Sequence, residues 1–388
     1  MHNKLLSLIA CFFIFILFSH QAPAAGSYDS LRTKTGTIVK CSPDGKGEGC
    51  VPVGEAMRSL KKGSVLHLMP GSYSSSFDID VDGLIIEGEP GKYCDASIRI
   101  KGKKNIIRNL WVGQLECETD VTIIDSVINY FTCEYNDKKM EQEFFNSCFN
   151  SISVYSYKDN KLTFTKCNIV SDNSHAVYFS WGDGNIYFTN CIIYGKNKLF
   201  SLPERDRGND QGVRIMLDNS LIYGEMALAD GTSKTGVNNS GKEEKALDLK
   251  GLKRLAKSLM TKGDIITERP IFKKELQARN FGPMEGGGGR GMHFSSSSYS
   301  SRDLKVFILD DKSPGKDKNL GANLNEEGFP VPEQPKDAKK TTATTTPAPT
   351  PAPTPAPAVK PAIEEKAVEK KPVEKQPETV PGGAPKLF

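Results

Sequence analysis

Two aromatic residues and two carboxylates recur at one spacing in this chain. Tyr157 and Trp181 lie 24 residues apart, and so do Asp159 and Asp183. Ring faces pack on apolar surfaces and carboxylates accept hydrogen bonds from hydroxyls, so a strip carrying both has the chemistry to bind sugar. Asp78, Asp80 and Asp82 alternate along residues 77–82 and share one strand face. Hard cations such as Ca²⁺ take several oxygen ligands, and three Asp on one face are a start on such a site; a solvated acidic strip is the alternative. Arg205, Arg207 and Arg214 follow Pro203, with Asp206 and Asp210 among them.

These residues sit in a repeat. Residues 152–167 and 176–191 match in register, with serine on serine, aromatic on aromatic, Asp on Asp, Thr on Thr and Cys on Cys. Alternating strands and turns at such a period mark a β-solenoid, in which equivalent residues of successive coils stack about 4.8 Å apart. Tyr157 is then expected beneath Trp181, and Asp159 beneath Asp183. Facing outward, the rows form a platform for a polysaccharide; facing inward, they are a stacked core row with two turn-forming Asp. Short apolar strands surround the repeat, with Asn109, Asp125, Asn190 and Asn219 at comparable places. Such side chains bond local backbone and tolerate left-handed geometry, which suits a tight solenoid corner. Lys166 interrupts that series.

Composition bounds the rest. The chain has 388 residues and a formal charge of +4, which is near balance and argues against a nucleic-acid partner. Residues 1–25 read as a signal peptide: Lys4, a short apolar run over 5–18, and the small-x-small site Ala22-Pro23-Ala24. Its removal leaves a secreted or envelope protein with no stable membrane insertion. Disulfides are permitted there. Cys41 and Cys50 flank a short loop and are the preferred pair; Cys133 and Cys148 bracket an apparent insertion over 132–150 and are placed to clip it. Cys167 and Cys191 occupy equivalent rungs, as buried free thiols or as a strained bond. Val53, Ala56, Met57 and Leu60 share a helical face, and the helix, about 53–63, is placed to cap the N-terminal end. A second amphipathic helix is expected at about 245–262, with Leu252, Leu255, Ala256 and Leu259 as its stripe. From 331 to 388 the chain is rich in Pro, Ala, Thr, Lys and Glu and reads as a disordered tail.

A capping helix, then a strand ending Pro70-Gly71-Ser72-Tyr73, then an apolar strand ending at Gly88, resembles the right-handed parallel β-helix superfamily of pectin-lyase-like proteins. The segments Pro270-Ile271-Phe272, residues 304–309, residues 313–317 and Leu320-Gly321-Ala322 are similar to the closing coil of its secreted members. The resemblance spans about 37–322. It implies an all-β fold over 26–330, a right-handed parallel β-helix with an N-terminal capping helix and one inserted amphipathic helix. It also implies binding or processing of polysaccharide along one flank, by a lyase or glycoside hydrolase if the protein is an enzyme, with Ca²⁺ as the cofactor some of its lyases use. Its lyases employ Arg or Lys to remove a proton beside a carboxylate, a role that falls here to Arg205, Arg207 and Arg214. The family's Arg-x-Pro-x-x-Arg signature is absent, and so is the paired Asp with Gly-His-Gly of the related polygalacturonases. A non-catalytic, adhesin-like surface module tethered by its tail is the competing expectation.

Overall fold

The computed structural model describes residues 28–134, 139–155, 160–171, 175–181, 184–196, 198–202, 213–224, 226–228, 234–235, 250, 259–274 and 303–332. These form an all-β parallel solenoid. One sheet of 11 strands runs from Cys50–Val51 through Ile38–Cys41 and Val65–Leu68 to Arg214–Asp218 and Leu259–Lys262. A second sheet carries the other strand of each coil, among them Tyr93–Ile100, Trp111–Cys117, Val127–Cys133, Cys148–Tyr155, His175–Trp181 and Lys198–Leu202. Its outer corner adds the short stack Asn168–Ser171, Ile192–Gly195 and Leu221–Tyr223. Pairing between these coils is parallel throughout; Met226–Leu228 with Lys234–Thr235 is an antiparallel pair at the end.

Each middle coil turns from the first sheet to the second over two residues, and the first of them is left-handed. Asn109, Asp125, Asn146, Lys166, Asn190 and Asn219 have φ between 43° and 53°. Asn and Asp tolerate this region best, so four members of the ladder are legible beforehand. Lys166 adopts it too, at φ 53°, because the coils above and below fix the corner. Asn146 also belongs to it, which corrects the expected insertion over 132–150. That segment holds the strand Glu141–Phe145, paired with Val121–Ile124 on one side and Asn160–Thr165 on the other. Its pattern is hard to read because Gln142 faces inward and donates to the Thr119 carbonyl, while Phe145 faces outward under Tyr28.

The second corner residue points inward and closes the turn. The hydroxyls of Ser126, Ser147 and Ser220 donate to the carbonyls two residues back at 2.8, 2.8 and 2.9 Å. The thiols of Cys167 and Cys191 do the same at 3.4 and 3.3 Å. Cys167 and Cys191 therefore take the serine position as buried free thiols. None of the eight described cysteines is joined in a disulfide, which corrects both expected clips. Cys41 pairs with Val51 while Cys50 pairs with Lys40; the one-residue offset turns their side chains to opposite faces. Cys133 ends a strand beside Cys117 and Val154, in the core. Cys148 begins the next coil and packs with Val127 and Val170 on the outer corner.

Inside, Phe144, Phe164 and Phe188 stack on successive coils, with ring centroids 4.1 and 5.1 Å apart. Phe131, Phe149 and Phe200 fill the facing side. The N-terminal end is closed as expected. Helix α1 (Asp29–Thr33) is a single turn on the flank, and helix α2 (Val53–Ser59) buries Ala56 on the first coil, with Val53 and Met57 packed beside it. The expected helix at 245–262 falls mostly outside the described residues, but Leu259–Lys262 is a strand paired with Arg214–Asp218. Residues 304–309, read as part of the closing coil, form a 3₁₀ turn, Leu304–Phe307, followed by a single bridge from Leu309 to Phe272.

Two outward apolar rows are covered by segments that flank the solenoid in sequence. Tyr28 and Leu31 cover Val65, Ile85, Ile106, Ile124 and Phe145 on the first sheet. Leu304, Val306, Phe307 and Phe329 cover Trp111, Val127, Cys148, Val170, Tyr194 and Tyr223 on the outer corner. No helix among the described residues is long and apolar enough to cross a membrane.

Candidate functional site

The second sheet's outward face combines aromatic rings with fixed carboxylates. Alternation along each strand puts Ser97 and Arg99, Gln114 and Glu116, Tyr130 and Thr132, Ser153 and Tyr155, and Tyr178 on this face, all part-exposed. Arg99, Glu116, Thr132, Ser153 and Tyr178 form one vertical row. In the early coils the row is ionic. Glu116 receives Arg99 Nε on one oxygen at 2.8 Å and Gln114 Nε2 on the other at 2.7 Å. Glu118 lies 3.7 Å from Arg99. The Arg99 guanidinium is held further in its charged form by Glu116, whose hydrogen bond outweighs its partial burial.

In the later coils the face is aromatic. Tyr178 meets Tyr155 edge-on at 6.1 Å, and His175 stacks on Tyr178 at 4.8 Å and 29°. Burial, then Tyr178, then Glu134 push the Tyr155 hydroxyl above its ordinary value. Half-buried rings with polar rims offer a sugar an apolar face and hydrogen-bonding edges together.

His175 is pushed down to about 4, first by burial and then by Lys198 on the neighbouring strand. A histidine with a lowered folded value favours the neutral ring, so the unfolded chain binds the extra proton below about pH 6.5. Its contribution to stability is complete above that pH and is lost as pH falls toward 4. Allowing for its part-exposure, the loss is on the order of 2 kcal/mol. Unfolding free energies from urea titrations between pH 7 and 4.5 should fall by that amount, and His175→Gln should flatten this component of the slope.

The predicted residues are distributed differently. Tyr157, Asp159, Asp183, Arg205, Arg207 and the Trp181 side chain lie outside the described residues. The backbone register still corrects the expected stacking of Tyr157 under Trp181. The spacing of 24 holds on the first sheet, where Asn160 pairs with Gly184 and Thr165 with Thr189. On the second sheet Ile152 pairs with Val177, and an irregularity after Val154 sets Tyr155 beside Trp181. Arg214 is exposed on the first sheet beside Asn185 and is not brought to the aromatic face. Asp78, Asp80 and Asp82 do not gather into a Ca²⁺ site. Asp78 pairs with Lys101 at 3.0 Å, Asp82 accepts from the Lys103 amide, and Asp80 stays exposed. Among the described residues no three His, Cys, Asp or Glu side chains converge as metal ligands. Tyr130, Tyr155, Tyr178 and Glu116 were missed as site residues; the signal that finds Glu116, Tyr130 and Tyr155 is alternation in the second halves of strands 111–117, 127–133 and 148–155. Comparisons with protein-family models, with curated proteins and with solved structures each returned no match.

Proposed function

We propose that this protein is a secreted polysaccharide-binding solenoid of the right-handed, pectin-lyase-like kind, which holds a glycan along the outward face of its second sheet. The observation that supports the reading is the part-exposed group Tyr155, Tyr178 and His175, continuous with the carboxylates Glu116 and Glu118. Rings on successive coils meet successive sugars, and Glu116, fixed on both oxygens, orients hydroxyls. Affinity electrophoresis and calorimetry against acidic and neutral polysaccharides test it. Tyr178→Ala and Tyr155→Ala should each weaken binding about tenfold, on the order of 1.4 kcal/mol. Retention of full affinity in the double variant, or no binding to any glycan, would overturn the reading.

A non-catalytic surface module tethered by residues 331–388 is favoured over an enzyme by one observation: Arg214 lies on the first sheet beside Asn185, away from the aromatic face, while Asp78, next to Arg99 in the site's row, is held by Lys101. Incubating uronate polymers with the protein and added Ca²⁺ separates the two. Release of unsaturated product that is lost in Arg205→Ala and Arg207→Ala supports lyase chemistry, and binding without product supports the module.

A further inference from the structure

The two flanking segments that cover the solenoid's apolar rows are fastened to one buried point. Asp125 is 1% exposed and Asn146 is fully buried; they are consecutive members of the left-handed corner ladder. From the N-terminal side, Arg32 donates through Nε to Asp125 Oδ2 at 2.6 Å and through Nη2 to Oδ1 at 2.9 Å. Asn146 Nδ2 donates to the same Asp125 Oδ1 at 2.6 Å and to the Val331 carbonyl at 2.8 Å. From the C-terminal side, the Asn323 amide donates to Asn146 Oδ1 at 2.6 Å, and Asn323 Nδ2 donates to the Val331 carbonyl at 3.1 Å. The residue before Asn146, Phe145, carries the Tyr28 ring at 4.3 Å and the Arg32 guanidinium at 5.4 Å.

A buried carboxylate needs compensating donors, and removing one leaves the others to reorganise. Asn146 has one amide nitrogen, shared between Asp125 and Val331. Its orientation therefore depends on Asp125 being held, and Asp125 is held by Arg32. Hydrogen bonds in such a chain strengthen one another.

We propose that residues 28–34 and 321–331 form a single clasp, closed through Asp125 and Asn146, so that release of either end loosens the other. The ends are far apart in sequence and do not need to touch. The coupling is reciprocal by linkage.

Hydrogen exchange on the full chain, read by mass spectrometry, tests this. Arg32→Ala should speed exchange of amides 321–331 about tenfold, within the usual range of such couplings. Phe329→Ala, which unseats the C-terminal end, should speed amides 31–34 by a similar factor. Amides of Asn160–Thr165 should stay protected in both. Wild-type protection of 321–331 in Arg32→Ala, or of 31–34 in Phe329→Ala, overturns the proposal. Should Arg32→Ala also free Asn160–Thr165, Arg32→Lys decides on the same peptides, because it keeps the charge and loses the two-pronged bond.

Discussion

Replacing Phe164 with alanine is expected to destabilise the protein by about 3–5 kcal/mol. Phe164 is fully buried, stacked between Phe144 and Phe188 and met edge-on by Phe149 at 5.7 Å. The ring is the middle member of a column, so its loss removes contacts on both faces. Rigid strands on either side restrict collapse into the space left behind. Because each coil touches mainly its neighbours, the damage should be local before it is global. Urea unfolding followed by circular dichroism should show a lower midpoint and a broader transition. Thr163→Ala, on the outward side of the same strand, should change the stability by no more than about 0.5 kcal/mol. A loss below about 1 kcal/mol in Phe164→Ala would mean that the column does not hold the coils together.

Arg108→Met is expected to cost about 3–5 kcal/mol, since it breaks a buried pair and leaves its partners unsatisfied. Arg108 donates twice to Glu87 Oε2, at 2.8 and 2.7 Å. Its Nη1 reaches the carbonyls of Leu31, Arg32 and Lys34 at 2.9, 2.6 and 2.8 Å. One side chain thereby fixes the chain leaving helix α1 to the first sheet. Glu87 is in turn bonded by His67, at 3.2 Å. Lysine cannot supply this fork of donors, so Arg108→Lys should lose nearly as much. The His67 hydrogen bond, then Arg108, hold the Glu87 carboxyl below its ordinary value. A lowered carboxylate stabilises above its unfolded value and loses that stabilisation as pH falls through the folded one. Acid below the ordinary glutamate range, about 4.3, should therefore weaken the wild type more than Arg108→Met. Equal acid sensitivity in the two would refute this assignment of Glu87.

The solenoid was readable because it obeys two local rules, alternation along strands and a left-handed corner in each coil. Asn109, Asp125, Asn190 and Asn219 announce that corner by residue type. Lys166 does not, since there the neighbouring coils impose a backbone that its own chemistry disfavours. The strand Glu141–Phe145 escaped notice for a related reason: Gln142 is polar inside and Phe145 apolar outside, each matched by a partner remote in sequence. The site was half legible. The aromatic repeat reads as a spacing of 24, but on the second sheet the register is 25 up to Val154 and 26 after it, which puts Tyr155 rather than Tyr157 beside Trp181. Spacing alone does not reveal such slips, because the first sheet keeps the 24. The cysteines misled because their parity follows the helix corner and the strand register rather than their separation in sequence.

The corner from the first sheet to the second keeps one length in every middle coil: 109–110, 125–126, 146–147, 166–167, 190–191 and 219–220. The return from the second sheet to the first does not. It spans 118–120, 134–140, 156–159, 182–183, 203–213 and 229–258. The fold thus works like a bookshelf with one fixed spine and one open edge. Variation in chain length between the middle coils is thus confined to one margin, the side on which Cys133 and Tyr155 end their strands. One margin can therefore differ in length from coil to coil while the opposite corner and the interior keep one pattern.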